Sequence, residues 1–309
     1  MAKKIAVLLS GCGVFDGAEI HESVLTLLAL DEAGVEVVMT APSGEQMHVV
    51  NHLTGEVAAD EQRDILVEAA RIARGQIVEL DELNLEEVDG VVLPGGFGVA
   101  KNLCDFAVSG AECGVHPRVE AMLKSARSLN LPLGFACISP ALAAAVFREG
   151  MLTVGSDEDP AADGLRALGV EHIACERDQV VCDHERHIVS TPAYMAETTL
   201  SALRDGLRRM VDQVVTWAHE VDGSEHAEAL KQLEGWSMSA GAITKSWRFD
   251  DDQGSIAWVN KLWSLAQERG HHPDVELGYN TVSVRLTTHD AGGITKADFA
   301  LAHSIDALS

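Results

Sequence analysis

Three histidines stand close together near the end of the 309-residue chain. Two lie in His271-His272-Pro273-Asp274; the third follows Tyr279-Asn280, in Thr288-His289-Asp290-Ala291-Gly292-Gly293-Ile294-Thr295. An imidazole titrates near pH ~6.5, so it can give or take a proton at neutral pH. A thiol stands at Gly134-Phe135-Ala136-Cys137-Ile138-Ser139-Pro140, after an apolar run and before a helix-forming one. That is a nucleophile elbow with sulfur in place of oxygen, and a helix N-terminus beneath a thiol favours the thiolate. Val91-Val92-Leu93-Pro94-Gly95-Gly96-Phe97-Gly98 ends another apolar run in small residues. Gly95 and Gly96 there leave backbone N–H groups free to bind an oxyanion.

The elements around the histidines read as follows. Ile256, Val259, Trp263 and Ala266 fall on one face of a helix ending near Gly270. His271 therefore follows a helix C-terminus, whose partial negative charge attracts a protonated ring. Pro273 biases His272 towards an extended backbone. Val282, Val284 and Leu286 alternate with Ser283, Arg285 and Thr287, the period of a half-buried strand. His289 shares the parity of the polar set. Gly292-Gly293 then permits a turn into a last helix over 295–305, with Thr295 as its cap. Three rings can thus converge on one wet cleft. The same three rings would also suit a zinc ion, or be surface residues without a role.

Upstream, apolar strands over 5–9, 35–40, 88–93, 131–136 and 179–182 alternate with helices near 19–33, 60–73, 116–129, 138–148 and 196–217. This alternation predicts an α/β domain: a doubly wound, flavodoxin-like, mostly parallel sheet covered on both faces. Leu200, Leu203, Leu207, Met210, Val214 and Trp217 form a stripe expected to be core. All six cysteines (12, 104, 113, 137, 175, 182) precede residue 183, and all five tryptophans (217, 236, 247, 258, 263) follow residue 216. A polar break at Glu220-Val221-Asp222-Gly223-Ser224-Glu225 divides the chain into domains over 1–220 and 224–309. The second reads as α+β, with an antiparallel sheet wet on one face.

The net charge is −25, and both parts are acidic, so a nucleic-acid backbone or an anionic membrane is not an expected partner. Met1-Ala2-Lys3-Lys4 leads straight into a strand-length apolar run, with no secretory or membrane segment. The expected location is cytoplasmic, with reduced cysteines. No Cys-x-x-Cys pair is present.

Residues 226–306 resemble the pterin-4a-carbinolamine dehydratase family. The resemblance rests on Trp236, the Trp247-Arg248-Phe249 strand, the His-His-Pro run, Tyr279-Asn280 and the Thr-His-Asp-x-Gly-Gly turn. It implies a four-stranded antiparallel sheet with helices on one face, assembled as a homo-oligomer. It also implies a hydro-lyase that acts on a pterin substrate and serves tetrahydrobiopterin recycling. By this resemblance His271, His272 and His289 form the pterin site, with His271 and His289 in acid–base work and His272 binding the ring. Asp274 and Asp290 would contact the substrate, and no metal or redox cofactor is required. Family members often carry an aromatic residue shortly after His-His-Pro; here Val275 follows Asp274, which predicts looser ring stacking.

Residues 3–218 resemble the PfpI/ThiJ-like superfamily, and within it the ElbB branch of glyoxalase-like proteins. The carriers include Leu9-Ser10-Gly11-Cys12-Gly13, Asp16-Gly17-Ala18-Glu19-Ile20-His21-Glu22, Gln46-Met47-His48, Asn51-His52-Leu53-Thr54-Gly55, Pro94-Gly95-Gly96-Phe97-Gly98 and Thr191-Pro192-Ala193-Tyr194-Met195. The resemblance implies that Glu22 lies beside Cys137 and moves protons for it. It also implies that 2-oxoaldehydes such as methylglyoxal are converted to 2-hydroxy acids without glutathione. Many superfamily members add a histidine about twenty residues after the cysteine, where this chain reads Gly155-Ser156-Asp157. His21, His48 or His52 would have to substitute, or are structural. Against the bifunctional enzyme stands a non-enzymatic alternative: a dehydratase-fold protein-binding module joined to a redox-sensing thiol domain, with Cys137 or Cys12 as sensor. An inert, buried Cys137 is the third reading.

Overall fold

The computed structural model describes residues 3–219, 229–239, 241–288 and 293–308 and divides into two compact units, Met1–Ala218 and His219–Ser309. In the first, the apolar runs become strands β1 (Lys4–Leu8), β2 (Glu36–Ala41), β3 (Val78–Glu79), β4 (Gly90–Leu93) and β5 (Leu133–Ala136). A small parallel pair, β6 (Met151–Leu152) with β7 (Glu171–His172), lies outside the main sheet, and β8 (Val181–Asp183) and β9 (Ile188–Thr191) complete it. The main sheet runs β3-β2-β1-β4-β5-β9-β8 and is parallel except where β8 meets β9.

The strand expected over 179–182 is therefore the antiparallel edge, and β9, which the sequence reading missed, is the parallel neighbour of β5. Half of Ile188-Val189-Ser190-Thr191 is hydroxylic, so the run lacks the apolar signature of a buried strand, yet all four residues are buried. Along β1, Ala6 and Leu8 enter one hydrophobic cluster while Ile5 and Val7 enter the other, so both faces of the sheet are covered.

The helices are α1 (Ile20–Glu32), α2 (Ile65–Ile72), α3 (Phe106–Ser109), α4 (Pro117–Ser128), α5 (Ser139–Phe147), α6 (Pro160–Ala167) and α7 (Leu200–His219). The stripe on α7 is core as expected from Leu203 to Trp217, whereas Leu200 at its start is about half exposed. Register then sets the site. Leu93 pairs with Phe135 and Ala136 with Thr191, so β4, β5 and β9 end side by side. Whatever follows them converges at the carboxyl edge of the sheet, where open α/β folds bind ligands.

In the second unit, β10 (Ser237–Ser239), β11 (Ala242–Arg248), β12 (Asp274–Gly278) and β13 (Thr281–Leu286) form an antiparallel sheet in the order β10-β11-β13-β12, accompanied by α8 (Asp252–Arg269) and α9 (Lys296–Asp306). Val282, Val284 and Leu286 are buried. Trp247 packs on Trp236 and Trp258, with ring centroids 5.6 and 4.7 Å apart.

The face expected for α8 needs correction. Ser255, Trp258, Leu262 and Ala266 are buried, while Ile256 and Trp263 are about half exposed. Both sets have helical spacing, so periodicity alone does not choose between them; the larger continuous stripe, with Trp258 and Leu262, faces the sheet. Asp251 caps the start of α8 through Gly254 N–H, and Gly270, at φ +63°, ends it. No helix among the described residues is long and apolar enough to cross a membrane.

Candidate functional site

Cys137 lies at the end of β5 with φ +60°, a left-handed backbone that a non-glycine residue adopts only when its surroundings hold it there. Its N–H donates to Thr191 O at 3.0 Å, and α5 begins two residues later. Ser139 Oγ donates to Ala136 O at 2.7 Å, tightening the same turn. The elbow expected from sequence is therefore present.

Glu22 stands in the first turn of α1 with no exposed surface. Gly95 N–H donates to Glu22 Oε2 at 2.8 Å, and Tyr194 N–H donates to Oε1 at 3.2 Å. The carboxyl and the Cys137 sulfur both lie against Gly95. Gly95 can only be glycine: a Cβ there would lie 2.3 Å from Cys137 Cβ and 2.7 Å from Glu22 Oε2. Gly96, at φ +100°, would press a Cβ to 2.4 Å from Glu19 N. Glu19 caps α1 by accepting Glu22 N–H at 2.7 Å, and its own N–H donates to Gly95 O. So Glu22, Gly95, Gly96 and Cys137, far apart in sequence, come together.

Burial pushes the Glu22 carboxyl up to about 7, against the pull of the Tyr194 and Gly95 N–H groups. The thiol departs from expectation. Burial, and then the Glu22 charge, raise Cys137 well above the ordinary thiol range, although Gly96 and Ile138 N–H groups pull it down. The α5 N-terminus does not win, because the sulfur is buried beside a carboxylate. Above about 7 the pair therefore holds its proton on the sulfur, as thiol beside carboxylate.

Cys137 lines a cavity of about 430 Å3, together with Val14, Phe97, Phe106, Ile138, Tyr194 and Met195 among others. A larger cavity of about 630 Å3, bordered by Asp157, Glu158 and Glu176, does not reach Cys137. None of His21, His48 and His52 lines the Cys137 cavity. His21 Nδ1 is 2.8 Å from Tyr194 Oη, and His52 packs against Phe15. All six cysteines are free.

In the second unit, Gly270 turns the chain so that His271 Nε2 lies 2.8 Å from Asp298 Oδ1. Asp298 is fully buried, and its Oδ2 accepts from Thr295 N at 2.7 Å and from Thr288 Oγ1 at 2.8 Å. Thr295 caps α9 as expected, and Asp298 completes the capping box. Sequence reasoning passed over Asp298; the spacing Thr295-x-x-Asp298 was the available signal. His272 is exposed and packs on Trp263, ring centroids 5.8 Å apart. Asp274 accepts from Arg285 at 3.1 Å on the exposed side of the sheet. His289 and Asp290 lie outside the described residues. The described Thr288 bridges Gly293, and its Oγ1 donates to Asp298 Oδ2. Among the described residues, no group of three or more His, Cys, Asp or Glu side chains could hold a metal ion.

Residues 219–308 match the family model described as pterin 4 alpha carbinolamine dehydratase. A putative pterin-4-alpha-carbinolamine dehydratase of Chloroflexus aurantiacus is 45% identical over 85 residues, covering 28% of this chain and 91% of its own. The human glutamine amidotransferase-like class 1 domain-containing protein 3, mitochondrial, is 42% identical over 222 residues, covering 69% of this chain and 83% of its own. A crystal structure of an isoprenoid biosynthesis protein with amidotransferase-like domain from Ehrlichia chaffeensis matches with 34% identity and a TM-score of 0.65, covering 69% of this chain and 98% of that one. The cytoplasmic expectation falls here: curated relatives of the first unit, the human protein among them, are mitochondrial by name. That expectation rested on how few residues precede the first strand in the sequence, which is not a measure of location.

Proposed function

We propose, for a chain that belongs to the pterin-4a-carbinolamine dehydratase family through its second unit and to the DJ-1/ThiJ/PfpI-like, amidotransferase-like family through its first, that the second unit is a working 4a-hydroxytetrahydropterin dehydratase. The observation that carries this reading is the His271–Asp298 contact. A buried carboxylate beside Nε2 keeps the ring proton there and leaves the Nδ1 lone pair as a base. That base accepts the N5 proton of the pterin carbinolamine. His289, as acid, protonates the C4a hydroxyl, which departs as water and leaves the quinonoid dihydropterin. His272 supports the ring, and Asp274 and Asp290 contact its polar edge. Solvent then returns both imidazoles to their starting states, so the step consumes no cofactor. Stopped-flow dehydration by wild type and His271→Ala tests the reading. Acceleration lost in the variant is expected; no acceleration by folded wild-type protein sinks it.

For the first unit, over 1–220, we propose cysteine chemistry on a 2-oxoaldehyde. Cys137 sulfur adds to the aldehyde carbon while the thiol proton passes through Glu22 to the new hydroxyl. Glu22 then moves a proton from that carbon to the neighbouring carbonyl carbon, while the hydroxyl proton passes to the former ketone oxygen, giving a thioester. Water cleaves the thioester, releases a 2-hydroxy acid and restores the thiol. The Cys137–Glu22 pair supports this order, because a carboxyl near neutrality can carry a proton in either direction. Burial and a raised thiol disfavour Cys137 as a redox sensor, which needs an accessible thiolate. Half-exposed Ile256 and Trp263 on α8 support self-association of the second unit, tested by light scattering of wild type and Ile256→Glu.

A further inference from the structure

We infer that the Cys137 cavity takes an uncharged carbonyl compound bearing an apolar group of about phenyl size, and rejects small polar or anionic ones. This rests on the cysteine–carbonyl reading above and narrows it to a substrate class.

The first ground is size. At about 430 Å3 the cavity falls within the range of sites that enclose whole organic ligands. The smallest 2-oxoaldehydes would fill a small part of it and leave apolar walls wet.

The second is the lining. Val14, Phe97, Ala100, Phe106, Ile138 and Met195 supply apolar surface, and among the described residues no lysine, arginine or histidine lines the cavity. Besides the cysteine, its ionisable lining groups are Glu19, which is buried, and the Tyr194 phenol, held to His21. Lys101 is engaged elsewhere: its Nζ donates to Phe15 O at 2.8 Å and sits 5.2 Å over the Phe97 ring. A carboxylate or phosphate entering here would lose water, meet no cation in the lining and face Glu19.

The third is polarity along the cavity. Gly96, Cys137 and Ile138 line the cavity together, at the end of β5. A carbonyl carbon must reach the Cys137 sulfur to react, so the carbonyl end belongs at Cys137 and the rest of the ligand lies against Phe97, Phe106 and Met195. The Phe106 wall is braced by α6, since a Cβ on Gly164 would lie 2.6 Å from Phe106 Cζ.

The test uses the full chain and two readouts. Alkylation of Cys137 by iodoacetamide is followed site by site by mass spectrometry, with acetophenone, acetone or 4-carboxyacetophenone as competitor. Turnover of phenylglyoxal and methylglyoxal to their 2-hydroxy acids is measured alongside. Acetophenone is expected to protect Cys137 at a concentration at least about tenfold below acetone, from the apolar area buried. The carboxylated ketone is expected not to protect. Phe106→Arg should weaken acetophenone protection about tenfold and let the carboxylated ketone protect. Equal protection by acetone or the carboxylated ketone in wild type overturns the inference, as does methylglyoxal turnover matching phenylglyoxal turnover. Protection by acetophenone without turnover of either aldehyde upholds the ligand class and removes the 2-oxoaldehyde reading instead.

Discussion

His271 Nε2 meets Asp298 Oδ1 at 2.8 Å, and the same carboxylate closes the capping box of α9 through its other oxygen. One buried aspartate thus serves a helix terminus and a candidate catalytic ring together. Position and orientation of the imidazole depend on how α9 begins.

Asp298→Asn separates the two duties. The amide still fills the space, but one end becomes a donor facing either the Thr295 N–H or His271. Dehydration should slow by about tenfold, less than the 10²-fold or greater loss expected for His271→Ala. Stability should drop by about 1–3 kcal/mol from the mismatched buried group. Rate–pH profiles beside urea unfolding check both, and an unchanged profile would make Asp298 purely structural.

Gly95→Ala should be among the most damaging small substitutions in the first unit. The added carbon would sit 2.3 Å from Cys137 Cβ, where β4 and β5 hold both backbones. Overpacking of this kind costs about 1–3 kcal/mol. Urea denaturation measures it, and an unperturbed midpoint would show that the edge of the sheet yields.

Glu22 links stability to pH. Its folded value of about 7 lies above the 4.5 of an unperturbed carboxyl, so the folded chain binds the proton more tightly. Its contribution is fully present below about 4.5 and is lost as pH rises towards 7, on the order of 3 kcal/mol in all. Glu22→Gln should abolish this slope. Unfolding free energies at pH 5 and 8 for both proteins decide the matter, and parallel curves would place the proton elsewhere.

The Glu22 charge also holds the Cys137 thiol up, second only to burial. Glu22→Gln should therefore speed alkylation of Cys137 at pH 8, by about tenfold for each unit that the thiol comes down. Slower alkylation in the variant would mean that proton removal by Glu22 outweighs the repulsion of its charge.

Much of this was legible in the order of residues. The strand–helix alternation before residue 218, the Val282-Val284-Leu286 period, the Thr295 cap and the Cys137 elbow all depend on neighbours within a few positions. Local chemistry decides such features, so local sequence displays them. The α8 face was misread because Ile256 and Trp263 repeat as well as Trp258 and Leu262 do, and only the sheet beneath selects one stripe. Strand β9 was missed because Ser190 and Thr191 are hydroxylic yet buried.

The sequence by itself determined which chemical groups the chain carries: an imidazole after a helix end, a thiol on a turn, glycines after a strand. Only the tertiary structure decided their state and company. The register of β4, β5 and β9 closed a cavity over Cys137 from segments that sequence holds far apart. Burial reversed the expected direction of the thiol, since the cost of removing charge from water depends on everything packed around it. The fold of α9 against the end of α8 gave His271 its aspartate, because a partner 27 residues away comes within reach only when the chain turns back on itself.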